Sequence, residues 1–243
     1  ATVIIFRNGP SGTPPELLMV QRAKDMRFAG GAVVFPGGKI DPADFTLAKR
    51  IAGAGDQRLM AARLAAIRET LEETGLAIGL EQRISPADAA LARDMLREQG
   101  ALAPVLDRFG WTLRPDRLDL FAHWCPHWAG AFDTHFFLAD LGTGAVDIAI
   151  DQTENTRLFW ISAAHALAQA DAGAISLLFP TRRNLERLAL FSSHAEAQAQ
   201  AQAMPVRKIT PWREERDGEP WLIIPEGLGY PVLGEPLEGA LRH

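Results

Sequence analysis

The sequence predicts a mixed α/β fold. Short runs of β-branched and aromatic residues alternate with longer segments whose apolar residues recur at helical spacing, and clusters of Gly, Pro, Asn and Asp separate the two kinds. Hydrophobic residues make up 47% and charged residues 23% of the 243-residue chain, which is the composition of a core-forming globular protein and not of a disordered one.

Each element follows from a local signal. Residues 2–6 are the first strand, Asn8-Gly9-Pro10-Ser11-Gly12 a turn, and residues 17–20 a second strand, so the two form a hairpin. Ala32-Val33-Val34-Phe35 is a third strand, stopped by Pro36-Gly37-Gly38. A helix is expected from about residue 56 to 74, because Leu59, Met60, Leu64, Ile67 and Leu71 fall on one side. Asp56 caps its start and Gly75 stands where a terminating glycine belongs. Upstream of it, Gly53 and Gly55 beside the cap predict a flexible surface excursion over residues 45–55. Ser85-Pro86 opens a further helix that ends near Gly100. Strands are expected at residues 118–124, 134–138 and 158–161, and helices at residues 162–170 and from Pro180-Thr181 onward. The Ala/Gln-rich stretch 195–203 reads as a solvated helical extension. Asp217-Gly218 turns the chain into a last strand at residues 221–224. Neither an internal repeat nor a separating linker divides the chain, so residues 1–243 are expected to form a single domain.

Charge and cysteine content narrow the partners. Lys and Arg number 25 and Asp and Glu 30, a net charge of −5, which lacks the basic footprint of a nucleic-acid binder. No apolar run reaches the roughly 18–20 residues of a membrane span, so no membrane partner is expected. Cys125 is the one cysteine, which rules out an intrachain disulfide and suits a reducing, cytoplasmic location.

Chemistry concentrates in Arg68-Glu69-Thr70-Leu71-Glu72-Glu73-Thr74-Gly75-Leu76. Glu69, Glu72 and Glu73 stand at i, i+3 and i+4, so a helix places all three carboxylates on one side, where they repel unless a cation joins them. Hard oxygen ligands of this kind suit Mg²⁺ or Mn²⁺. Arg68 is placed to hold a carboxylate by paired hydrogen bonds. The competing reading is a solvated acidic helix face. The Gly37-Gly38 turn upstream, which frees the backbone for close approach, favours a site.

Together these residues resemble the signature of the Nudix hydrolases. That pattern runs glycine, five residues, Glu, seven residues, Arg-Glu, an aliphatic, any residue, Glu-Glu, any residue, glycine, an aliphatic. Gly38 matches its opening glycine, and Arg68-Glu69, Glu72-Glu73, Gly75 and Leu76 match its closing half. Asp44 stands in place of the first Glu, Thr70 in place of an aliphatic, and 23 residues separate Asp44 from Arg68 where the pattern has 7. A second resemblance, to Nudix enzymes that cleave coenzyme A and its thioesters, lies in Arg22-Ala23, Arg27, Gly31 and Phe35-Pro36-Gly37-Gly38, with Leu18-Met19-Val20 where that signature has Leu-Leu-Thr. The matched motifs cover residues 18–76.

The resemblance implies a Nudix-type α/β/α sandwich with a mixed sheet, an insertion at about residues 45–60, and additional helices with a C-terminal elaboration. It implies metal-dependent hydrolysis of a diphosphate linkage in a small nucleotide substrate, coenzyme A or an acyl-CoA among the candidates. The alternatives are ADP-ribose, nucleotide sugars, dinucleoside polyphosphates, or a non-catalytic nucleotide-binding module. Glu69, Glu72, Glu73 and the Gly37 carbonyl are the implied ligands of Mg²⁺ or Mn²⁺. Glu72, Glu73, Arg68 and Glu154 are the implied catalytic residues, and Arg22 and Arg27 the phosphate-binding ones. A homodimer is an allowed assembly. His123-Trp124-Cys125-Pro126-His127 offers three zinc-ligand types, but the proline between them favours local packing. Trp111, Trp124, Trp128 and Trp160 are candidates to stack on an adenine.

Overall fold

The computed structural model describes residues 1–9, 13–26, 29–53, 55–127, 132–142 and 155–240. Strand β1 (Thr2–Arg7) and strand β2 (Glu16–Arg22) form the expected antiparallel hairpin, with Phe6 opposite Leu17. β3 (Val33–Val34) pairs with the far end of β2. β4 (Asp119–Trp124), β5 (Thr134–Asp140), β6 (Asn155–Ile161) and β7 (Lys208–Ile209) complete a seven-stranded mixed sheet of order β3-β2-β1-β5-β4-β7, with β6 also paired to β2. β1 and β5 run parallel, whereas β4 and β5 are antiparallel.

The two-residue period of the strands feeds two cores. In β1, Val3 and Ile5 enter one cluster and Ile4 and Phe6 the other, and β2 divides Leu18 and Val20 from Leu17 and Met19 in the same way. The first face is covered by α1 (Pro42–Ile51), α2 (Gln57–Thr74), α3 (Pro86–Gln99) and α4 (Leu102–Phe109). The second is covered by α5 (Ala163–Asp171), α6 (Phe179–Leu188) and α7 (His194–Ala203). This is the α/β/α sandwich that the resemblance implies. Strands β8 (Trp212–Arg216), β9 (Glu219–Ile223) and β10 (Gly234–Pro236) add a small antiparallel sheet. Its hairpin turns on Asp217 and Gly218, both at positive φ. A last turn of helix, α8 (Leu237–Ala240), follows. No helix among the described residues is long and apolar enough to cross a membrane.

Two expectations need correction. The expected excursion at residues 45–55, within the insertion assigned to about 45–60, is largely the helix α1, followed by a short link into α2; Ala54 in that link lies outside the described residues. The reason is local: Asp41 and Asp44 form a reciprocal capping box, Pro42 sits in the first turn, and Leu47 and Ala48 are buried against α2. The glycines bound this helix and do not dissolve it. The Ala/Gln run is likewise packed. Ala197 and Ala201, one helical turn apart, are buried, while Gln198 and Gln202 hydrogen-bond Asp119.

The helical reading of the insertion has a direct consequence for stability. Leu47→Ala removes a buried side chain and should cost about 2–4 kcal/mol in urea unfolding. A surface excursion would instead give a change within about 0.5 kcal/mol.

Candidate metal centre

The acidic segment occupies the last turns of α2. Gly75, at φ 74°, ends the helix and returns its N–H to the Leu71 carbonyl. Arg93 of α3 closes the same end: its Nε lies 2.7 Å from the Glu72 carbonyl and its Nη2 3.0 Å from that of Glu73. A cation here satisfies open carbonyls and complements the helix dipole, so the turn that carries the glutamates is fixed from outside.

Arg68 fixes it from inside. The side chain is 3% exposed and grips Asp44, itself 1% exposed, through Nε to Oδ1 at 3.2 Å and Nη2 to Oδ2 at 3.0 Å. Nη2 also donates to the Lys39 carbonyl at 2.9 Å, on the loop that follows Gly38. Nη1 reaches Glu69 at 3.0 Å and Glu72 at 3.4 Å. One planar guanidinium therefore orients two of the three glutamates and joins them to α1 and the glycine loop. Burial opposes its charge, yet the Asp44 hydrogen bond and the surrounding carboxylates raise its pKa overall, so it stays protonated.

The glycine loop closes on the third glutamate. The Gly37 N–H donates to Glu73 Oε2 at 2.9 Å, and Asn155 Nδ2 donates to Oε1 at 3.3 Å. A Cβ at Gly37, where φ is 149°, would run into the Ala1 carbonyl, so that position requires glycine, and one at Gly38 would displace the Glu69 carboxylate.

The cluster is short of positive charge. Burial pushes Glu69 up to about 7, against the pull of Arg68 and with the push of Glu72. Burial pushes Glu73 up to about 7 as well; the Gly37 N–H opposes this, Glu69 adds to it, and Asn155 and Arg22 oppose it. Glu72 is raised by burial despite Arg68. Arg68 acts on Glu69 and Glu72 and Arg22 on Glu73, yet all three carboxyl groups stay raised, so their oxygens would suit a hard divalent ion such as Mg²⁺ or Mn²⁺ that supplies further positive charge.

The residues singled out in the sequence thus fall into three groups. Arg68, Glu69, Glu72, Glu73 and Gly37 come together. Arg22 lies near enough for its charge to act on Glu73, and its buried Nε has no hydrogen-bond partner among the described residues. Arg27, Glu154 and Trp128 lie outside the described residues. Of the other tryptophans, Trp124 is core, edge-on to Phe179 and Tyr230, Trp111 stacks on Phe109, and Trp160 lies under the Arg7 guanidinium. Arg93 and Asn155 were not singled out, because neither carries a local signal; strand register and helix packing bring them to the glutamates.

No family model matches the chain, and no curated protein matches it in sequence. Among solved structures, the chain is similar to a NUDIX hydrolase from Alicyclobacillus acidocaldarius, at 28% identity and a TM-score of 0.69 over 82% of this chain and 93% of that one. An Ap4A hydrolase of C. elegans (14% identity, 83% and 94% covered, TM-score 0.36) and a MutT protein from Methanosarcina mazei Go1 (15%, 76% and 87%, TM-score 0.39) align far more loosely.

The raised carboxyl groups make stability depend on pH with a definite sign. Glu69 and Glu73 have folded values of about 7 against an ordinary 4.5. Between those values the folded state holds protons that the unfolded chain has lost, so stability falls as pH rises through this window. Without divalent ions, Tm of the wild type should drop more between about pH 5.5 and pH 7.5 than Tm of Glu69→Gln, and saturating Mg²⁺ should recover much of that loss at the higher pH. Equal slopes in the two proteins would show that Glu69 is ionised throughout.

Proposed function

We propose that this chain, a Nudix-family hydrolase, cleaves a diphosphate linkage in a nucleoside diphosphate derivative, with coenzyme A or an acyl-CoA as the substrate. The observation that carries the reading is the turn of α2 on which Arg68 holds Glu69 and Glu72 while the Gly37 N–H of the glycine loop holds Glu73.

Glu69, Glu72 and Glu73, with the Gly37 carbonyl, would hold Mg²⁺ or Mn²⁺. A bound ion of this type lowers the pKa of water and neutralises charge on the bridging phosphates. Arg68 keeps Glu69 and Glu72 turned toward each other and cannot itself leave, since Asp44 and the Lys39 carbonyl hold its other edge. Asn155 and the Gly37 N–H fix both oxygens of Glu73, so this carboxylate is held in one orientation. The proton of the attacking water passes to a carboxylate of this set or to Glu154, whose chain neighbour Asn155 touches Glu73.

The coenzyme A assignment rests on the Arg22, Arg27 and Gly31 spacing and is supported by Arg22. A buried guanidinium nitrogen without a partner beside an acidic centre is suited to an anionic ligand, and a phosphate supplies paired acceptors. Cleavage of coenzyme A would yield 3′,5′-ADP and 4′-phosphopantetheine; an acyl-CoA would yield the acylated phosphopantetheine.

Two experiments test this. Glu73→Gln should keep the fold and lower turnover in Mg²⁺ by about 10²-fold or more, because metal clamping contributes several kcal/mol to the transition state. Wild-type turnover in that variant would remove Glu73 from the centre. In a mass-detected screen over coenzyme A, acyl-CoAs, ADP-ribose and NADH, coenzyme A substrates should be cleaved, and Arg22→Ala should lower their kcat/KM by roughly 10–150-fold, equivalent to about 1.5–3 kcal/mol. Cleavage confined to ADP-ribose or NADH would exclude the coenzyme A reading, and binding without turnover of any of them would make the chain a nucleotide-binding module.

A further inference from the structure

We infer that His123, Asp133 and His135 form a second metal site, separate from the glutamate turn, that takes a borderline-soft divalent ion, Zn²⁺ first among them. The arrangement follows from strand register. His123 of β4 and His135 of β5 are direct cross-strand partners, and Asp133 stands two residues before His135, on the same face. Their ligand atoms all lie within 4.8 Å of one another, the only such group of His, Cys, Asp and Glu found among the described residues. Cys125 and His127, which the sequence places beside His123, do not join it.

Three details point to a ligand and not to packing alone. His135 is 8% exposed, and its Nδ1 has no hydrogen-bond partner among the described residues. A buried polar atom left unpaired in this way calls for an occupant. Asp133 Oδ1 lies 2.5 Å from His123 Nε2, while Arg58 of α2 holds the other oxygen at 3.0 Å, so the carboxylate is already oriented toward the imidazoles. The two imidazole rings lie 4.0 Å apart and nearly parallel, 16° between planes, so His135 stands directly against the ring whose Nε2 meets Asp133.

Two imidazoles and one carboxylate are the protein donor set of a three-ligand zinc site, with bonds of about 2.0–2.1 Å once the stacked rings turn so that their nitrogens converge on the ion. Mg²⁺ favours oxygen ligands in an octahedron and competes poorly here, so the two centres sort their ions by chemistry.

Calorimetric titration of Zn²⁺ into the whole chain, with Mg²⁺ in large excess, tests this. Wild type and Glu69→Gln should each bind one Zn²⁺ at the imidazole site, and His123→Ala and Asp133→Ala should weaken that binding by at least about tenfold. Co²⁺ in place of Zn²⁺ should give the visible bands of a tetrahedral nitrogen-ligated ion in wild type and lose them in His123→Ala. Should His135→Ala fail to fold by circular dichroism, the two less buried positions, His123 and Asp133, decide the matter. The proposal is overturned if wild type binds no Zn²⁺ under these conditions, or if binding is unchanged in His123→Ala and Asp133→Ala or is lost only in Glu69→Gln.

Discussion

Arg68 and Asp44 form a buried, bidentate ion pair, and the candidate metal centre is assembled around it. Asp44 belongs to the capping box of α1, so the pair anchors that helix to α2. The remaining donors of Arg68 hold the Lys39 carbonyl, which places the loop after Gly38, and two of the three glutamates. Removing one partner of a buried pair leaves an uncompensated charge, at a cost of about 3–5 kcal/mol. The position of the glycine loop, the docking of α1 and the aim of Glu69 and Glu72 therefore depend on one guanidinium.

That arrangement holds the carboxylates together without neutralising them. Arg68 is shared among Asp44, Glu69 and Glu72, and Glu73 has only neutral hydrogen-bond donors in the Gly37 N–H and Asn155. The fold thus maintains a local excess of negative charge in a partly desolvated place, the condition under which a divalent ion gains most from binding. On the second face, Trp124 donates to the Tyr230 hydroxyl, Tyr230 donates to Asn184 Oδ1, and Arg187 donates to the Phe121 carbonyl and Gln200, contacts that tie α6 and α7 to the sheet.

Much of this was legible in the sequence because the decisive relations are local. Glu69, Glu72 and Glu73 reveal themselves by helical spacing, the helix ends by Asp56 and Gly75, and the first hairpin by its turn residues. The resemblance to the Nudix signature added Gly38 and pointed to Asp44 across the long insertion. What remained hidden depends on tertiary placement. Arg93 lies on a later helix and Asn155 on a later strand, and no spacing ties either to Glu73. His123 suggested Cys125 and His127 as neighbours, whereas β4–β5 register gives it His135 and Asp133. The α1 helix was obscured by Gly53 and Gly55, although its capping residues and the buried Leu47 and Ala48 were in plain order just upstream.

The central claim is that the turn of α2 carries protonated carboxyl groups near neutrality that give way to a divalent ion. Proton release on Mg²⁺ binding measures this directly, by calorimetry near pH 7 in two buffers of different ionisation enthalpy. With Glu69 and Glu73 both at about 7, binding should release about one proton per chain, and less as the pH is raised. Mg²⁺ binding with no proton release, or no binding at all, would contradict the account.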